Sequence, residues 1–181
     1  MSKLWTGDAR GMRLNEAVGC DLEWRQPELW MRAYQLTCNG SELASIRFLK
    51  RAGLLAACAC DGRRLTFRRI GLYATRVSIR ETGSEMDIAS FSPDWIGRGR
   101  VVFGRERRYR LRPTNFWATQ WAFEAEDGND AVRLSGPHGL FKRSGRAQVT
   151  PSGVRLVDTP VLLPLIWYVR MLMNGAFAAF V

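Results

Sequence analysis

The chain is 181 residues long, 46% hydrophobic and 24% charged, with a formal net charge of +10. It has no low-complexity tract and no long run of like charge, which excludes a disordered or fibrous chain and fits one domain with a substantial core. The positive balance favours anionic partners: nucleic acid, phospholipid headgroups or acidic protein.

Of the cations, 24 are arginine and three are lysine (Lys3, Lys50 and Lys142). Bidentate phosphate recognition favours that ratio, and so does a GC-rich genome. Residues 1–21 read as an N-terminal extension, partly ordered at best, without the continuous apolar segment of a secretory signal. Cys20, Cys38, Cys58 and Cys60 lack metal-ligand or redox CxxC spacing, and the expectation is buried, reduced thiols in a cytosolic protein.

From residue 22 the sequence reads as short strands separated by turn signals. LEWR (22–25) is followed by MRAYQLT (31–37), which turns at Asn39-Gly40 into ELASIRFLK (42–50). LLAACAC (54–60) turns at Asp61-Gly62 into RRLTFRRI (63–70). Asn-Gly and Asp-Gly between alternating runs are strong hairpin signals. LYATRVSIR (72–80), EMDIASF (85–91), RGRVVFG (98–104), RRYRLRP (107–113), FWATQWAFEAE (116–126) and DAVRLSG (130–136) continue the series. A weaker last pair covers 139–145 and 147–153.

The spacing predicts about twelve strands in an all-β barrel or sandwich. The alternation adds that each strand has a dry face and a charged one. Leu65 and Phe67 oppose Arg64, Thr66 and Arg68; Val77 and Ile79 oppose Arg76, Ser78 and Arg80. Antiparallel sheets behave so, and closing the sheet removes its edges.

The tail, PVLLPLIWYVRMLMNGAFAAFV (160–181), is the remaining element. Twenty-one residues of helix would match a bilayer. Against that, Arg170 would sit near the bilayer centre, and Asn174-Gly175 is a helix stop. The helix is therefore expected at about 160–173, with Pro164 in or near its first turn and 174–181 as a tail of undefined role. Leu162, Leu165, Ile166, Trp167, Val169 and Leu172 belong to an all-round apolar surface that must be buried on every side. A barrel of about twelve strands has room for it. The predicted fold is a closed antiparallel barrel of about twelve strands around a hydrophobic C-terminal helix, forming one domain over 22–173.

This succession of hairpins, closed by DTPVLLPLIWYVRMLM (158–173), resembles the tubby C-terminal-like superfamily of tubby-like proteins, phospholipid scramblases and LURP-one-related proteins. The resemblance covers 22 to about 173. It implies a twelve-stranded barrel around a central helix, and, from the tubby proteins, phosphoinositide binding by basic residues outside the barrel. The acidic calcium-binding segment and Pro-rich N-terminal region of scramblases have no counterpart here, which argues against scramblase activity.

The strongest chemical candidate is RGRVVFGRERRYRLRP (98–113). Hairpin pairing would gather Arg98, Arg100, Arg108, Arg110 and Arg112 on one outer face, opposite Val101, Phe103, Tyr109 and Leu111. Like charges on adjacent strands are unfavourable unless carboxylates or a bound polyanion offset them. A solvated face screened by salt is the alternative. Arg64 and Arg68, with Arg63 and Arg69 beside them, form a weaker second patch. Nucleic acid is disfavoured because the neighbouring aromatics, Phe67, Phe103 and Tyr109, fall on the dry face and cannot stack bases.

No catalytic constellation is visible. His138 is the only histidine, which excludes a multi-histidine metal site and leaves a loop residue without a catalytic role. Glu124, Glu126, Asp127 and Asp130 do not match a calcium loop and read as a solvated turn. Gly97 and Gly99 lack the following helix of a phosphate loop. Trp117, Thr119, Trp121 and Phe123 share a face directed at the helix.

The functional expectation is a non-enzymatic module for anionic phospholipid headgroups at a membrane surface. No cofactor or metal is expected, and the location would be cytoplasmic or peripheral at the membrane's inner face. The alternatives are a tail-anchored, scramblase-like membrane protein with a basic soluble domain, or a protein or nucleic-acid interaction barrel.

Overall fold

A computed structural model of the chain describes residues 13–28, 32–49, 55–71, 76–94, 96–138 and 143–173. The strands in order are β1 (Leu22–Arg25), β2 (Ala33–Cys38), β3 (Ser41–Phe48), β4 (Leu55–Cys60), β5 (Arg63–Ile70) and β6 (Arg76–Glu81). They continue as β7 (Asp87–Pro93), β8 (Gly99–Phe103), β9 (Arg107–Pro113), β10 (Gln120–Ala125), β11 (Asp130–His138) and β12 (Ser144–Val149). One helix, α1 (Thr159–Met173), follows. Each strand pairs antiparallel with its predecessor, and β1 pairs with β12, so the sheet is a closed barrel.

Local chemistry builds the hairpins. Asn39 and Gly40 have φ of 49° and 82°, and Asp61 and Gly62 have 50° and 75°. Two successive positive φ angles are what a two-residue turn needs to match strand twist. Closure is non-local: Leu22 lies opposite Ala147 and Trp24 opposite Gly145.

Thr159 through Met171 are buried, and α1 fills the barrel. Its 15 residues make it about 22 Å long. Among the described residues no helix is long and apolar enough to cross a membrane. Trp167 stacks on Trp24 at 5.3 Å and meets Tyr34 edge-on, while Tyr168 lies between Phe48 and Phe67. A Cβ on Gly145 would lie 2.7 Å from the Trp167 ring, so the glycine makes room for the stack. Pro164, the sixth residue of α1, lies just past the first turn, and the helix gives up the hydrogen bond its N–H would have made.

The N-terminal end of α1 is tied to the wall by a buried carboxylate. Asp158 accepts a hydrogen bond from the Tyr109 hydroxyl (2.9 Å) and forms an ion pair with Arg107 Nε (3.0 Å). Burial nevertheless holds its carboxyl above the ordinary carboxylate value, outweighing the pull of Tyr109 and Arg107. A carboxyl with a raised folded-state pKa favours folding most when protonated. Its contribution therefore falls as pH rises from the ordinary value through the raised one. Urea melts of Asp158→Asn across the acid range should lack that component of the slope; an unchanged profile would refute the assignment.

Several expectations need correction. The weak pair at 139–145 and 147–153 is one strand, β12; residues 139–142 lie outside the described residues. The segment after β12 turns instead, because Thr150 Oγ1 accepts from the Gly153 N–H (2.9 Å) at the start of a short 3-10 helix, Gly153–Arg155. His138 is not in a loop but ends β11, its backbone in register with Ser144. The strand expected from 116 starts at Gln120. Residues 114–119 form a loop because the Asn115 carboxamide oxygen accepts from the Thr119 and Gln120 N–H groups (3.0 and 3.1 Å). Trp117 is consequently 79% exposed and does not face the helix, whereas Trp121 and Phe123 do lie inside.

Cys20 and Cys38 form a disulfide, contrary to the expectation of reduced thiols, and the cysteines lend no support to a reducing compartment. A 3-10 helix, Leu14–Ala17, buries Leu14 and Ala17 and delivers Cys20 to the end of β2. Cys58 and Cys60 are free and buried, and burial pushes both thiols well up, out of the nucleophilic range. Residues 1–12 and 174–181 lie outside the described residues.

Candidate functional site

The β8–β9 hairpin has the register its alternation predicts. Val101 pairs with Tyr109 and Gly99 with Leu111, facing inward; Arg100 pairs with Arg110, and Val102 with Arg108, facing outward. Arg100, Arg108 and Arg110 are exposed and make no ion pair among the described residues. Two guanidinium groups directly opposite each other on adjacent strands repel. Arg110 faces Glu124 across β10, but Glu124 is ion-paired to Arg112.

Arg112 shares the face without sharing its availability. It holds Glu124 and also Asp130 (2.9 Å), which Arg133 binds from the other side (2.8 Å). Those two carboxylates are therefore part of a cross-strand network, not of a solvated turn. Glu126 and Asp127 do lie exposed in the turn, Asp127 accepting from the Asn129 backbone and side chain.

Arg98 stands just before β8, half-buried, its backbone N–H donating to Asp94 Oδ1 (2.8 Å). Arg64 and Arg68 are exposed on β5, three strands from β8, about 14 Å across the sheet. Between them Arg76 and Arg80 hold Asp87, whose carboxyl the Ser78 hydroxyl (2.6 Å) and Arg80 keep below its ordinary value. The seven arginines thus resolve into an open trio on β8–β9, a pair on β5, one bound to carboxylates and one at a turn.

A cavity of about 580 Å³ opens where α1 ends, lined by Arg69, Phe91, Asp94, Trp121, Arg170 and Met173 among others. The Arg170 guanidinium lies 3.9 Å from the Trp121 ring centroid, and burial lowers its pKa to about 10. Arg69 Nε is buried without a hydrogen-bond partner. Asp94 spends its Oδ1 on the Ile96 and Arg98 N–H groups. Gly99 serves packing here, since a Cβ on it would sit 2.4 Å from the Phe91 ring, and Gly97 serves the turn with a φ of 85°.

Sequence reasoning missed Arg69 as a cavity residue. The available signal was parity, since Arg69 falls on the dry face with Leu65 and Phe67.

The X-ray structure of an Arabidopsis thaliana protein, AT5G01750, is similar to this barrel, with a TM-score of 0.55 over 88% of this chain and 94% of that one. Sequence identity is 13%. The fold is shared. No protein-family model matches the chain, and no curated protein matches it. At that identity the likeness concerns architecture, and side-chain chemistry must be argued from this chain alone.

Proposed function

We propose that the chain is a non-enzymatic binding module of the tubby C-terminal-like type, which engages anionic phospholipid headgroups through Arg100, Arg108 and Arg110. The carrying observation is the Arg100–Arg110 pair: two guanidinium groups in direct cross-strand register, with Arg108 on the same face and the nearest carboxylate committed to Arg112. A phosphate would convert that repulsion into charge-assisted, bidentate hydrogen bonds.

The test is flotation of the protein on phosphatidylcholine vesicles with and without phosphatidylinositol phosphates, before and after a high-salt wash. Binding confined to anionic vesicles and released by salt is expected, because exposed charges are screened within about 8 Å at physiological ionic strength. Retention through the wash on both lipids would point to insertion of an apolar segment. Absence of binding would leave the arginines as solvated surface.

A further inference from the structure

The antiparallel path sends residues 26–28, 49, 71, 96–98, 114–119 and 143 to the end of the barrel where α1 finishes. Among the described residues, five of the eight exposed large hydrophobic ones are at this end: Leu49, Ile70, Ile96, Phe116 and Trp117. The two aromatics are the most prominent, Phe116 at 92% and Trp117 at 79% exposure, packed edge-on to each other at 5.2 Å. Val18, Met86 and Val157 lie at the other end, which has no exposed aromatic among the described residues.

Charge is polarised the same way. The loops of the far end hold most of the loop carboxylates, among them Asp61, Glu85, Glu106, Glu126, Asp127 and Asp158. Those described at the α1 C-terminal end hold Glu28 and Asp94, the latter turned toward backbone N–H groups. Arg98 and Arg143 are in its loops, and Arg68 lies near the end of β5. The Asn115 hydrogen bonds hold the 114–119 loop in shape, so its aromatics are presented to solvent by a preorganised turn.

We infer that the barrel docks end-on, by this end, onto the surface of an anionic bilayer, with Phe116 and Trp117 seated at the headgroup–acyl boundary. The inference rests on the anionic-lipid reading above and adds the orientation and the apolar contact. Tryptophan has an amphipathic ring suited to that depth, and an exposed apolar patch at the end whose described loops are poor in carboxylates matches an anionic interface. A second copy of the chain is the poorer occupant, since it would press two carboxylate-poor, arginine-bearing ends together. The geometry joins the two contacts through Arg100 and Arg110: Arg100 is the second residue of β8 and Arg110 lies three before Pro113, where β9 runs into the aromatic loop, while Arg108 lies toward the far pole.

The experiment uses the full chain on vesicles of phosphatidylcholine with and without phosphatidylserine, including lipids brominated high on the acyl chain. Bromolipid should quench part of the wild-type emission on the anionic vesicles, and Trp117→Phe should lose that component. Burial of two aromatic side chains predicts that Phe116→Ala with Trp117→Ala weakens binding by about tenfold or more. Thermal stability should be unchanged, as their ring contact is with each other.

Full binding by the aromatic double variant, with Arg100→Glu still impaired, overturns end-on docking and spares the headgroup reading. Unimpaired binding by Arg100→Glu overturns the headgroup reading itself. A double variant that changes the molecular mass by light scattering, but not vesicle binding, assigns the patch to self-association and overturns the proposal.

Discussion

Trp167→Ala should destabilise the protein by about 3–5 kcal/mol, the range for deleting a large aromatic side chain from a packed core. The indole is fully buried at the centre of the helix–barrel contact, stacked on Trp24 and in edge contact with Tyr34. Removing it opens a void that neither wall can close, because Trp24 is held in register opposite Gly145 by the β1–β12 ladder. For a chain of this size the loss corresponds to a fall in Tm of about 6–20 °C.

Trp167→Phe is the informative companion. The indole N–H groups of Trp167 and Trp24 are both buried without a hydrogen-bond partner. Phenylalanine removes one such orphan donor, worth about 1–3 kcal/mol, against a smaller void. Its net cost should therefore be well below that of alanine. The pair is read by urea and thermal melts. A Trp167→Ala cost under about 1 kcal/mol would mean that the helix is not what the barrel packs around.

Arg100→Glu should separate stability from binding. The substitution places a carboxylate directly opposite Arg110, turning a repulsive cross-strand pair into an attractive one. The expected gain in stability is about 0.2–1 kcal/mol. At an anionic membrane the same change removes one attraction and adds one repulsion, about 1 kcal/mol each. Vesicle affinity should drop by roughly thirtyfold, since 1.4 kcal/mol is a factor of ten.

A structural role for the arginine would predict a stability loss; a headgroup role predicts this divergence. Melting curves and flotation on one preparation decide between them. Arg112→Glu is the contrasting control. It removes one of the two arginines holding Asp130, which is 9% exposed, and sets a carboxylate beside Asp130 and Glu124, so its main effect should be on stability.

The electrostatic asymmetry of the barrel follows from its connectivity. In a closed meander alternate loops share an end, so carboxylates scattered through the sequence at Asp61, Glu85, Glu106 and Asp127 gather at one pole. Among the described residues the opposite pole is left poor in carboxylates and carries the exposed aromatics. That pattern has no signature in a window of ten residues, and it emerges only when the loops are sorted by end.

Much of the architecture was nonetheless legible. Asn39-Gly40 and Asp61-Gly62 determined two hairpins, because turns with two positive φ angles admit few other residues. Period-two alternation determined which side chains of β5, β6, β8 and β9 point inward, since a strand has only two faces. The absence of a polar stripe on Val161–Met173 determined that the helix is enclosed. These are short-range properties, carried by dihedral preference and by burial of a contiguous surface.

What only the tertiary structure decided depends on residues far apart in the chain. The pairing of Leu22 with Ala147 closes the sheet, and no local signal specifies it. The Cys20–Cys38 bond requires the Leu14–Ala17 turn to be anchored beside β2. Arg112 differs from Arg110 because of Asp130, a residue at the start of β11, two strands over. Trp117 and Trp121 share a parity yet have opposite fates, because Asn115 ends the strand pattern before it begins. Alternation assigns a side chain to a face only while the backbone is extended. Which partners meet it there is set by how the barrel closes, and that is a property of the whole chain.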